Sequence, residues 1–140
     1  MDAFDADVLI YAAIPDHPLG RRVRALFPSR ATAHTGEVAG VASALLIPEL
    51  LTKPIREGAD AEIEALAVLL ARLELRQVDE STGQLAAALG AEYRLRAADA
   101  VHLATAVAAG ADRFITNNSS DFTPSIAEID ITFPQDLPEP

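Results

Sequence analysis

The residues best suited to chemistry in this chain are acids set in apolar surroundings. In RAADAVHLATA, from Arg96 to Ala106, Asp99 and His102 stand one helical turn apart among Val101, Leu103, Ala104, Val107 and Ala108. These leave no clearly polar face, and a helix apolar all round is a buried one. A carboxylate in such a place is costly unless a cation or a hydrogen-bond donor meets it. Asp99 therefore either caps the helix by accepting free first-turn amides or forms one wall of a charged site. Asp5 and Asp7 open FDADVLIYA. On a strand they would share one face and raise each other's proton affinity unless a cation lay beside them. If the strand begins only at Val8, both lie in solvent. Glu49 is flanked by leucines and an isoleucine in LLIPELL, where a helix start at Pro48 would also suit it. Asp121 lies in the polar run NNSSDF.

Such acids, with no cysteine in the chain, form an oxygen-only donor set suited to hard cations, chiefly Mg²⁺ or Mn²⁺. An ion of this kind lowers the pKa of bound water and neutralises charge building on a phosphoryl oxygen, so the chemistry suggested is phosphodiester hydrolysis. Serine-triad chemistry has no support: G-x-S-x-G is absent, and neither His17 nor His34 has a recognisable partner. The phosphate-cradling G-x-x-x-x-G-K-[ST] loop is absent too. His102 reads either as a ligand or as a histidine at the site edge bonded to a carbonyl or carboxylate. Thr116, Asn117 and Asn118 either orient a ligand water or simply form a turn.

The chain has 140 residues, half of them hydrophobic, which fits a single domain over residues 1–140 and excludes disorder. Its 21 acids against 11 lysines and arginines give a net charge of −10, which argues against sequence-blind nucleic-acid binding. Every lysine and arginine lies at or before Arg113, whereas Asp121, Glu128, Asp130, Asp136 and Glu139 follow it. A polyanion would have to approach through the arginines of the first part; Arg21, Arg22, Arg24 and Arg96 are the candidates, the alternatives being a simply solvated helix face and an ion pair of Arg96 with Asp99. The start, MDAFDADVLIYAA, lacks a basic leader region and a run long enough to span a membrane, so the expectation is a cytoplasmic protein without membrane association.

The elements that must position these side chains alternate. The expected strands are Phe4 to Ala12, Val38 to Ala42, Leu75 to Val78, Arg113 to Thr116 and Ile129 to Phe133. The first of these is a continuous apolar run suited to a doubly buried sheet. Helices are expected over Leu19 to Phe27, in ALLIPELL behind Ser43 with Pro48 as its kink or start, and from an Asp60 cap through Leu73. Two more follow: one from a Ser81–Gln84 capping box through Ala91, and one from Ala97 to Ala109, stopped by Gly110. QDLPEP reads as a frayed tail. Strands alternating with helices give an α/β three-layer sandwich with a mostly parallel sheet, in which ligands gather at the carboxyl ends of strands.

FDADVLIYA, the glutamate of SALLIPELL, LRAADAVHLATA and FITNNSSDF occur in an order that resembles the PIN-domain proteins, of the VapC type found as toxins in toxin–antitoxin pairs. The resemblance runs from Phe4 to about Pro134, and RAADAVHLATA with the following I-T-N is its most specific part. It implies a Mg²⁺- or Mn²⁺-dependent ribonuclease in which Asp5, Glu49 and Asp99 hold one ion and act in catalysis, a second ion joining when RNA phosphate supplies ligands. Where the family often carries a fourth acid in a T-x-D pattern, this chain has Thr116, Asn117 and Asn118, with Asp121 three residues on; by the resemblance Asn118 would coordinate the metal more weakly through its amide oxygen and Asp121 would act through water. Asp7 stands where the family often has asparagine or serine and implies a supporting role. The resemblance also implies a cognate antitoxin protein and, with the apolar middle helices, a homodimer.

Two rivals remain. FDADVLI also resembles the opening of haloacid-dehalogenase-like phosphatases, which need a later lysine, and the one lysine here is Lys53. A PIN-like interaction module without turnover is the other, kept open by Asn118.

Overall fold

The computed structural model describes residues 1–27 and 37–140; His34 lies outside the described residues. The strands β1 (Asp2–Phe4), β2 (Gly40–Ser43), β3 (Leu73–Arg76), β4 (Arg113–Ile115) and β5 (Asp130–Thr132) form one sheet, ordered β3-β2-β1-β4-β5, with every pairing parallel. Alternation along the strands sends successive side chains into two different cores. Phe4, Ala42 and Ile115 join one cluster, whereas Ala3, Val41 and Phe114 join the other. The first cluster is closed by α1 (Ala6–Ala12), α2 (Pro18–Arg24), α3 (Leu46–Glu57) and α4 (Asp60–Leu70), the second by α5 (Glu80–Tyr93) and α6 (Ala97–Ala108). This is the α/β three-layer arrangement that the alternating elements imply.

The first strand departs most from the sequence reading. It ends at Phe4, and VLIYA belongs to α1. A continuous apolar run fits a buried strand or a buried helix equally well. Here Asp5 decides the matter: its backbone is extended, and its Oδ1 accepts from the Ala6 amide at 2.8 Å. Val8, Leu9 and Ala12 then fall on one buried helical face. Asp5 and Asp7 are therefore the cap and second residue of a helix, not alternate residues of a strand.

Other boundaries move for local reasons. Pro48 lies in the first turn of α3, where its missing N–H costs nothing, and Ser43 Oγ accepts from the Leu45 amide just before the helix. Asp60 is the first helical residue of α4, with Ala59 at the cap position, and Leu73 lies in β3. Asp79, not Ser81, caps α5 by accepting from the Thr82 amide and hydroxyl. α6 and the Gly110 stop fall as the pattern predicts, with Gly110 at a φ of 71°.

The tail is not frayed. Pro134–Asp136 forms a 3₁₀ turn, Leu137 is buried in the first core, and Arg22 donates to the carbonyls of Gln135 at 2.9 Å and Leu137 at 2.8 Å and to the Glu139 carboxylate. An arginine fork satisfying two carbonyls holds a short segment that lacks ladder partners of its own. Among the described residues no helix is long and apolar enough to cross a membrane.

Candidate functional site

β1 has β2 on one side and β4 on the other, so the chain reverses its direction of winding beside β1. In open parallel sheets the crevice outside the carboxyl ends at such a reversal is where ligands bind. Asp5 directly follows β1, and Thr116 to Asn118 directly follow β4. The Asp5 amide donates to the Ile115 carbonyl at 2.9 Å, which continues the β1–β4 ladder into the site. Thr116 Oγ1, itself buried, donates to Asp5 Oδ2 at 2.7 Å. The Asn117 amide donates to the Asp7 carboxylate at 3.1 Å, and the Asn117 side chain donates to Tyr11 Oη at 3.2 Å.

Two further helices bring an acid from their first turns: α3 carries Glu49 and α6 carries Asp99. Free first-turn amides favour carboxylates there. His102, one turn along α6 from Asp99, is buried, and its Nε2 lies 2.8 Å from Glu49 Oε2. Its Nδ1 is buried with no partner among the described residues. With a proton on Nε2 the ring donates this bond to the Glu49 carboxylate. Of the partners the sequence left open for His102, a carboxylate is the one it meets.

Burial and mutual repulsion dominate the electrostatics. Burial pushes the Asp5 carboxyl above the ordinary aspartate range, the Thr116 bond opposes this, and the Glu49 charge adds to it. Asp7 is pushed up to about 6, first by burial and then by the charge of Asp5. Asp99 is raised by burial, by Asp5 and by Asp121. Five acids from four segments therefore share one electrostatic neighbourhood. Among the described residues none of Asp5, Asp7 and Asp99 has an ion pair with a lysine or arginine. Uncompensated carboxylates of this kind fit a hard divalent cation. Their oxygens do not form a ready cage: among the described residues no three acidic or histidine groups are already grouped to hold one ion. Four of the five acids bond to the protein instead: Asp5 to Thr116, Asp7 to Asn117, Glu49 to His102 and Asp121 to Asn118.

Asn118 Oδ1 accepts from the Asp121 amide at 3.2 Å and the Ser120 hydroxyl at 2.9 Å, and its Nδ2 donates to Asp121 Oδ2 at 2.9 Å. Both ends of the amide serve the turn. Asp121 is the member of this loop whose charge reaches Asp99.

The arginine candidates separate. Arg22 is tied to the tail, and Arg24 donates to the carbonyls of Ala12 at 2.6 Å, Ile14 at 3.2 Å and Pro15 at 2.9 Å. These two complete the protein's own backbone bonding rather than facing outward. Arg21 and Arg96 are exposed, and Arg96 makes no ion pair with Asp99. The sequence reading also missed a partnership. His17 caps α2, its Nδ1 accepting from the Gly20 amide at 3.2 Å, and its ring stacks on Tyr11 with centroids 4.4 Å apart and planes 9° apart. The signal was His17 immediately before Pro18, a cap position followed by a first-turn proline.

A family model described as the PIN domain matches residues 3–123, and domains of this family are typically nucleases. A search of curated proteins by sequence found no match. Among solved structures, a chain of a toxin–antitoxin complex from Klebsiella pneumoniae is similar at a TM-score of 0.72 and 20% identity, covering 96% of this chain and 98% of that one. A chain of VapBC2 from Rickettsia felis, bound to a DNA fragment from its promoter, gives 0.69 at 17% identity over 94% and 97%. A chain of FitAB bound to the IR36 DNA fragment gives 0.63 at 19% identity over 99% and 98%. At such identities the likeness is one of fold, and the strand order, the rim of acids and the matched span agree that this chain belongs to the PIN-domain family.

Proposed function

We propose that the protein is a divalent-metal-dependent endoribonuclease and the toxin of a toxin–antitoxin pair. The observation that carries this reading is the placing of Asp5 at the winding reversal, held by Thr116, with Asp7, Glu49, Asp99 and Asp121 in its electrostatic neighbourhood and no lysine or arginine paired with Asp5, Asp7 or Asp99 among the described residues. Asp5, Glu49 and Asp99 would hold Mg²⁺ or Mn²⁺, with Asp121 at the edge, supported by Asn118. When bound, the ion supplies an activated water and neutralises charge on the scissile phosphate. The chain's own residues do the rest. Thr116 and the Ala6 amide fix the Asp5 carboxylate, His102 holds Glu49 toward the rim, and Asn117 restrains Asp7.

The toxin assignment is supported by the toxin–antitoxin neighbours and by exposed aliphatic residues such as Ile14, Ile47, Ile55 and Val68, which suit an antitoxin and a second copy of the chain as partners. Purified protein should cleave single-stranded RNA with Mg²⁺ or Mn²⁺ and not with EDTA, and Asp99→Asn should lose cleavage while keeping its fold. Expression should arrest growth in the wild type and not in Asp99→Asn, and the RNA ends from the two cultures would identify the cut. Equal toxicity, or cleavage indifferent to EDTA, overturns the proposal. An interaction module without turnover is the second reading, favoured by the engagement of Asn118 in its own turn. Failure to take up either ion at millimolar concentration would favour it.

A further inference from the structure

The proposed reaction leaves open what draws RNA to a rim of repelling carboxylates. Arg22 and Arg24 are bonded to the protein's own carbonyls, and the chain carries a net charge of −10. Of the four arginine candidates only Arg21 and Arg96 stay exposed, so an attraction that does not depend on cationic side chains would add to theirs. We infer that the stacked rings of Tyr11 and His17 form a shelf for one unpaired base of the RNA, next to the scissile phosphate. The inference rests on the ribonuclease reading and deepens it by naming the feature of the substrate that is recognised.

Three observations carry it. The shelf is joined to the acids, since Tyr11 Oη accepts from Asn117, whose amide holds Asp7. It is rigid, because Gly20 brings α2 directly onto α1: a Cβ there would stand 2.0 Å from the Tyr11 carbonyl oxygen. It is also accessible, because Tyr11 and His17 are both partly exposed, while Phe4, Phe114 and Phe122 are buried in the cores. The cap bond also fixes the His17 tautomer. With Nδ1 accepting from Gly20, the neutral ring carries its proton on Nε2. Stacking on such a pair tolerates any base and requires a single strand, since a paired base has no free face.

The test uses the Asp99→Asn protein, so that cleavage does not intervene, and two labelled probes: a short single-stranded RNA and the same oligomer with one internal abasic position. The base-bearing probe should bind about tenfold more tightly than the abasic one. His17→Asn keeps a capping acceptor and removes the ring, so it should abolish that difference with little change in thermal unfolding, whereas His17→Phe should retain it. Equal affinity for the two probes, or an unchanged preference in a folded His17→Asn protein, overturns the shelf. Metal-dependent cleavage by the wild type would still stand in that case, and its absence would instead remove the ribonuclease reading itself.

Discussion

The Thr116 hydroxyl donates to Asp5 Oδ2 at 2.7 Å, joining the residue after β4 to the residue after β1 inside a site where both side chains are buried. Thr116→Val keeps the shape and removes the donor. Groups that orient a ligand typically alter metal affinity by about 10- to 100-fold, so Mg²⁺ binding measured by calorimetry should weaken at least about tenfold. Unchanged affinity would mean that Thr116 serves only the turn it shares with Asn118.

His102 and Glu49 give a second handle. Removing the imidazole frees Glu49 to solvent and also deletes a buried nitrogen that has no partner among the described residues. His102→Leu should therefore change stability by no more than about 1 kcal/mol while weakening ion binding. A loss of several kcal/mol in urea unfolding would show the bond to be chiefly structural.

The raised acids fix the direction of the pH dependence in EDTA. Asp7 has a folded pKa of about 6 against an ordinary value of 3.8, so between these values the folded state binds more protons than the unfolded state. Stability from this group is therefore fully present below about pH 4 and is lost as pH rises through about 6, by up to about 3 kcal/mol at 1.36 kcal/mol per unit. Asp5 and Asp99 shift in the same direction. The metal-free protein should be more stable at pH 5 than at pH 7.5, and Asp7→Asn should reduce the difference. A wild type more stable at pH 7.5 would contradict this account of the rim.

Arg22 anchors the tail through two carbonyls and Glu139. Hydrogen bonds to charged groups contribute about 1.5–3 kcal/mol, so Arg22→Ala should lower stability by about 2 kcal/mol and expose residues 134–140 to proteolysis. RNA affinity should change little. A large loss of RNA binding with the tail still protected would return Arg22 to the substrate side.

What could be read along the chain was whatever depends on neighbours in sequence. The Ala97–Ala108 helix, its Gly110 stop, β4 and the alternation of strands and helices follow from side-chain period and stop residues, and the acids stood out because apolar surroundings make a carboxylate costly wherever they fold. What the tertiary structure alone decided was anything resting on contacts between distant segments. VLIYA is apolar throughout, so its period cannot separate strand from helix, and the Asp5 cap together with the β1–β4 ladder chose the helix. The ends of Arg22 and Arg24 are not encoded by their spacing, because a surface-like arginine cluster becomes structural only when unpaired carbonyls are folded against it. The His102–Glu49 bond spans 53 residues and the Thr116–Asp5 bond 111. No local pattern carries such pairings, since they exist only once the fold has brought segments distant in sequence side by side.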